Sequence, residues 1–237
     1  MRMRDAWTNE APNWLQLVRR QLDAGWALSR PHFLELVPPP GELTLDIGCG
    51  EGRMARALAA VGHRVIGVDV TEFLARAAAD HDDPVPAVVA DAAALPFRDG
   101  VADLVVSFMT LMDTDDFAAA VSEAGRVLRP GGQYCIAIVH PLAESGRFLE
   151  DGSFLVDRPY LQVWRYPDEL HRQGIEMTFH TEHRPIESYS RTLEDAGLVI
   201  EAVREPMPDL AMTAEQPSEK RWRRIPNFLM LRARKDR

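Results

Sequence analysis

A chain of 237 residues, 46% hydrophobic and 27% charged, has room for one α/β domain with extensions and a sizeable core. Its net charge of −9 gives little long-range attraction to phosphate backbones or anionic lipid, so neither nucleic acid nor a membrane is expected as a partner. Two cysteines exclude a disulfide framework, no apolar run approaches the roughly 20 residues of a membrane span, and MRMRDAWTNE lacks a signal-peptide pattern; the chain reads as cytoplasmic.

Trp14, Leu17, Val18, Leu22 and Trp26 recur at helical spacing, which predicts a helix or helix pair within residues 14–37, broken at Pro31. PPPG at 38–41 is a stop, so residues 1–40 read as an N-terminal helical lid and 41–237 as the main domain. LTLDI, RVIGVDV, VPAVVA and ADLVVSF predict four strands with helices between them. The first helix carries Met54, Leu58 and Val61 on one face, the second has Thr71 as its expected N-cap, and the one after the fourth strand starts with Asp115 and Asp116 in its first turn. PGG at 130–132 turns the chain into a fifth strand, QYCIAIVH.

This alternation predicts right-handed parallel crossovers in a Rossmann-like, doubly wound α/β sheet. Residues 141–184 interrupt it as an insert after strand five. Within the insert, period-two alternation places Ile175, Met177, Phe179 and His183 on one strand face and Thr178, His180 and Glu182 on the other. A helix at 186–196 and the strands LVIEAVRE and NFLMLRARK complete the pattern.

The chemistry is concentrated at strand ends. LDIGCGEG places Gly48, Gly50 and Gly52 after the first strand, where backbone can approach a ligand closely and a helix N-terminus faces it. The dinucleotide fingerprint needs a glycine at position 53, which is Arg53, so a dehydrogenase is disfavoured. Asp46 suits a ligand with a cationic amino group. Asp69, ending the second strand, is placed to accept from ribose hydroxyls, and Asp91, after the third, from an adenine amino group. Each also has a plainer reading, since Asp46 can cap a turn and the other two the helices that follow. Taken together on one rim, they fit a ligand with an amino acid at one end, ribose in the middle and adenine at the other.

LDIGCGEG, GVDV, ADAAALPF, DLVVSFM and RVLRPGG resemble the class I S-adenosylmethionine-dependent methyltransferases, most closely the small-molecule group of ubiquinone and menaquinone biosynthesis. The resemblance is strong over roughly residues 41–140. It implies a seven-stranded sheet whose last strand is antiparallel, S-adenosyl-L-methionine as cofactor, and methyl transfer to a small-molecule acceptor at O, N or C. It further implies that Asp46, Gly48, Cys49 and Gly50 hold the methionine moiety and Asp69 the ribose. Val70, Asp91 and Ala92 would border the adenine, with Phe108 and Met109 lining the cofactor after strand four. A non-catalytic cofactor-binding or interaction protein of the same fold is the alternative.

On the acceptor side, His140 ends strand five on the expected ligand rim and is the candidate catalytic residue, with a pKa suited to proton transfer. His183 is expected to pack structurally, and His63 to lie at the far end of the sheet. SFMTLMD lacks the Asn-Pro-Pro-aromatic signature of amino-methylating DNA enzymes. Asp113 lacks the Asp-Asn neighbour of a catechol-type magnesium site, so no metal is expected and Asp113 reads as preceding a helix start. Phe148, Phe154, Tyr160, Trp164, Tyr166 and Phe179 can cover the acceptor or form the insert's own core. KRWRR at 220–224 reads as a solvated edge.

Overall fold

The computed structural model describes residues 2–209, 214 and 217–236. At its centre lies β1 (Thr44–Ile47), buried at all four positions, as a strand covered on both faces must be. Around it run β2 (Val65–Asp69), β3 (Ala87–Val89), β4 (Ala102–Phe108), β5 (Leu128–Val139), β10 (Leu198–Arg204) and β11 (Phe228–Lys235). They form one seven-stranded sheet in the order β10-β11-β5-β4-β1-β2-β3. β1 pairs in parallel with β2 and β4, β2 with β3, and β4 with β5, while β11 runs antiparallel to both β5 and β10. The reversed last strand is the one the sequence predicts.

Helices α3 (Arg53–Ala60), α4 (Glu72–Ala79), α5 (Phe117–Val127) and α7 (Ile186–Asp195) carry the connections. Apolar clusters fill both sides of the sheet, one around Leu45, Val105, Ile136 and Tyr189, the other around Phe33, Leu58, Val106 and Met230. Residues 141–184 hold a short helix, α6 (Pro141–Glu144), and two hairpins, β6 (Gly146–Phe148) with β7 (Phe154–Val156) and β8 (Trp164–Arg172) with β9 (Ile175–His183). In β9 alternate residues from Ile175 to His183 are buried, the face expected from sequence.

Three local expectations need correction. The N-terminal helices are α1 (Met3–Arg19) and α2 (Ala24–Leu36), and the break falls at residues 20–23, with Gln21 at φ 55° and Asp23 capping α2 by accepting from Trp26 N at 3.3 Å. Pro31 lies inside α2; the carbonyl it leaves unpaired is that of Ala27, an exposed residue, so water can satisfy it. Thr71 stands at the N-cap of α4, but its hydroxyl is buried without a partner; its backbone N–H donates instead to Asp69. Asp116 caps α5 through Ala119 N at 3.0 Å, whereas Asp115 reaches back to Met3 N at 2.8 Å and to Arg4.

Asp103 ties the entry of β1 to the edge of β4. Its carboxylate accepts from Glu42 N at 2.5 Å and Leu43 N at 2.7 Å and pairs with Arg129. Asp103→Ala is expected to cost about 2 kcal/mol, lowering the melting temperature by roughly 4–8 °C in a calorimetric scan.

Candidate active site

The loop after β1 carries Gly48, Gly50 and Gly52 at φ +73°, +56° and +87°, all left-handed. Gly48 is also spatially constrained, because a Cβ there would overlap Thr110, whose own Cβ would be 2.8 Å away. The loop is held down by Gly48 N and Cys49 N, which donate to Val68 O at 2.7 and 3.0 Å. It thus drops into a notch between the ends of β2 and β4, opening a cleft of about 300 Å³ above the sheet.

Asp46 projects into this cleft while only 1% exposed, and its Oδ2 has no hydrogen-bond partner. Burial, reinforced by the nearby charges of Asp69 and Glu51, pushes its pKa up to about 7. Asp69 accepts from Gly50 N through Oδ2 and from Thr71 N through Oδ1, both at 2.8 Å, and burial raises its pKa as well. Each oxygen retains a lone pair for a further donor. Asp91 accepts from Ala93 N at 2.9 Å and pairs with Arg4, which also reaches Asp115 at 3.4 Å. Arg4 therefore staples the start of α1 across the rim.

All ten residues expected at the cofactor line this one cleft: Asp46, Gly48, Cys49, Gly50, Asp69, Val70, Asp91, Ala92, Phe108 and Met109. Met109 takes the left-handed conformation at φ 57°, uncommon for a non-glycine residue, at the point where β4 ends. The Cys49 thiol is pushed well up, by burial first and then by the surrounding carboxylates, so it serves as an uncharged filler.

His140 is not brought into the cleft. Val139 lines it, and the next residue points the other way, where His140 borders a separate hollow with Glu205 and Trp222. Its Nδ1 accepts from Leu142 N at 3.0 Å and its Nε2 meets Glu205 Oε1 at 2.9 Å, so both ring nitrogens are committed. Burial lowers its pKa, with Glu205 opposing. A strand end fixes the rim a residue reaches but not the side of the sheet its side chain takes. His140→Gln is accordingly expected to leave ligand affinity at the cleft unchanged in a calorimetric titration.

The far wall of the cleft comes from the insert and Asp113: Tyr166 and Phe179 are among the aromatics the sequence offers as a cover, whereas Asp113, Asp168, Leu170 and Thr181 are not singled out for it there. One face of the β8–β9 hairpin presents Tyr166, Asp168 and Leu170 beside Phe179 and Thr181. Asp113, at the end of a short 3-10 turn after β4, accepts from Thr181 Oγ1 at 2.9 Å. Burial, with the neighbouring charges of Asp168 and Glu144 adding, pushes Asp113 up to about 7. Trp14, Trp26 and Arg53 close the end nearest the glycine loop, the guanidinium lying 5.0 and 4.5 Å from the two ring centroids and 2.7 Å from Asp23. Behind the hairpin, His183 is fully buried between Glu144 and the Tyr160 carbonyl, both at 2.9 Å, a structural place as expected.

Residues 45–136 match the methyltransferase domain family. The chain is 32% identical over 187 residues to the 2-methyl-6-phytyl-1,4-hydroquinone methyltransferase of a Synechocystis species, covering 77% of this chain and 54% of that protein. It is 32% identical over 124 residues to the demethylmenaquinone methyltransferase of Corynebacterium urealyticum, covering 52% of this chain and 47% of the relative. The chain thus spans about half the length of the curated relatives it matches. Among solved structures, an S-adenosylmethionine-dependent methyltransferase from Mesorhizobium loti superposes with a TM-score of 0.72 at 27% identity, covering 86% of this chain and 96% of that one.

Proposed function

The chain belongs to the class I S-adenosylmethionine-dependent methyltransferases, and on that premise we propose that it transfers the methyl group of S-adenosyl-L-methionine to a small-molecule acceptor in the cytoplasm. The observation that carries this reading is the buried carboxylate of Asp46, whose Oδ2 has no hydrogen-bond partner and which lines the same cleft as Asp69 and Asp91 at the ends of neighbouring strands. An orphaned carboxylate at that depth is costly unless a cationic donor completes it, and the ammonium of a bound amino-acid moiety is such a donor.

The residues fit the cofactor along its length. Asp46 and the backbone of Gly48, Cys49 and Gly50 would hold the methionine end, and Asp69 the ribose hydroxyls. Val70, Asp91 and Ala92 would border the adenine, with Phe108 and Met109 against its flank. When bound, the cofactor supplies an electrophilic methyl group on a sulfonium. The protein's part is then positional: it holds an acceptor in line with that methyl and keeps water out. Helices α1 and α2, with the β8–β9 hairpin, supply the cover, Trp7, Trp14 and Phe179 forming its apolar inner surface. A walled space beyond the three rim acids favours turnover over cofactor binding alone. Among the described residues no helix is long and apolar enough to cross a membrane.

The test has two stages. Calorimetry should show one S-adenosylhomocysteine bound per chain, and an acceptor screen followed by mass spectrometry should show a mass gain of one methyl on its hit. Absence of cofactor binding would end the proposal. Because Arg4 staples α1 over the rim through partly exposed ion pairs, Arg4→Ala is expected to speed release of S-adenosylhomocysteine by about fivefold in stopped flow, the kinetic equivalent of about 1 kcal/mol.

A further inference from the structure

The charges around the cleft do not balance, and the excess lies on the acceptor side. Arg4 answers Asp91 and Asp115, Arg53 answers Asp23, and Arg56 answers Glu51 at 2.9 Å. Asp46 and Asp69 face the methionine and ribose positions. Asp113 and Asp168 remain. Among the described residues Asp113 accepts a side-chain hydrogen bond from a neutral donor, the Thr181 hydroxyl, and pairs with no cation. Asp168 lies on the cleft face of β8, in register with Phe179. The cation whose charge it feels, Arg158, lies over the rings of Trp164 and Tyr166 at 5.0 and 5.4 Å and makes no ion pair with it.

Aromatic rings complete this end of the cavity. Trp7 packs on Phe179 with centroids 4.6 Å apart, and Trp14 meets both edge-on at 5.5 and 5.9 Å. Aromatic rings beside two carboxylates that lack an ion pair attract an organic cation and repel an anion. The apolar rings on this wall suit an organic cation better than a hydrated metal ion, and among the described residues no group of three or more His, Cys, Asp or Glu is arranged to hold a metal.

We propose that the acceptor is an organic amine, docked as its ammonium between Asp113 and Asp168 against the Trp7–Phe179 wall. This rests on the methyltransferase reading above and names its substrate class. An ammonium nitrogen has no lone pair to offer a methyl group, so one proton must leave first. A carboxylate oxygen of Asp113 takes it: the N–H bond breaks, its electron pair stays on nitrogen, and Asp113 becomes the neutral acid. Burial and the neighbouring acids place the Asp113 pKa near 7, where it can both accept and return a proton at neutral pH.

The test uses the full-length protein saturated with S-adenosylhomocysteine and two matched trios: 2-phenylethylamine, 2-phenylethanol and 3-phenylpropanoate, then tryptamine, its alcohol and its acid. Thermal shift and calorimetry should detect the amines and not their partners. Asp168→Asn, on an exposed hairpin, and Asp113→Asn should each weaken amine binding by about tenfold or more, leaving S-adenosylhomocysteine affinity unchanged. Alcohols or acids binding as tightly as the amines would overturn the inference. So would silence of both amines, an unaltered amine affinity in Asp168→Asn, or an equal shift from magnesium chloride alone. If S-adenosylhomocysteine itself fails to bind the wild-type chain, the methyltransferase reading falls and this inference with it; if it binds and the amines do not, only this inference falls.

Discussion

Asp46→Asn is expected to weaken S-adenosylhomocysteine binding by about 3 kcal/mol, more than a hundredfold, and yet to make the unliganded protein more stable at pH 8. Both effects follow from one buried carboxylate. In the native chain its pKa is raised to about 7, against about 3.9 for an unperturbed aspartate. A raised native pKa means that stability is fully present below about pH 4 and is lost as pH rises through 7, because the folded state resists giving up the proton. The amide carries no such penalty. The melting temperature of Asp46→Asn should therefore match wild type near pH 4, exceed it increasingly up to pH 7, and hold that margin above. Asp113 makes a second contribution of the same sign over the same window. A constant difference across pH would show that Asp46 is not held neutral by its surroundings.

Gly48→Ala should be strongly destabilising. The residue sits at φ +73°, and the added Cβ would overlap Thr110 while lying 2.8 Å from its Cβ. Left-handed strain of about 1–2 kcal/mol and overpacking of about 1–3 kcal/mol together predict a loss near 3 kcal/mol. In a chain of this size that lowers the melting temperature by roughly 10 °C. Thr110→Ala removes the two closest atoms but not the Cβ, so the double variant should recover part of the loss. Full stability in Gly48→Ala would mean that the loop does not enter the notch between β2 and β4.

What was legible in advance depended on how far along the chain the deciding partners lie. Asp46, Asp69 and Asp91 could be placed because strand periodicity alone carries each to the same rim, and the cleft collects them. The reversed β11 and the buried face of β9 followed from the family pattern and from alternation. The sequence marks Asp113 only as preceding a helix, because the hydroxyl that fixes its direction belongs to Thr181, 68 residues away. Asp168 and Tyr166 turn inward only because β8 pairs with β9 in one register, a choice that composition does not express. His140 shows the reverse case, a residue of suitable chemistry at the right strand end whose neighbour Val139 takes the cleft side. The pairing of Arg4 with Asp91 is out of reach too, since a helical lid over residues 1–40 is expected but nothing in MRMRDAW marks which rim acid its first turn meets.

The most direct measurement is a two-by-two calorimetric cycle, with S-adenosylhomocysteine and 5′-methylthioadenosine titrated into wild type and Asp46→Asn. The second ligand keeps the nucleoside and lacks the amino-acid end. If each rim acid reads its own segment of the cofactor, the substitution weakens only the first ligand and leaves the second untouched. Equal losses for both, or none for either, would contradict the assignment of Asp46 to the ammonium and the order of contacts built on it.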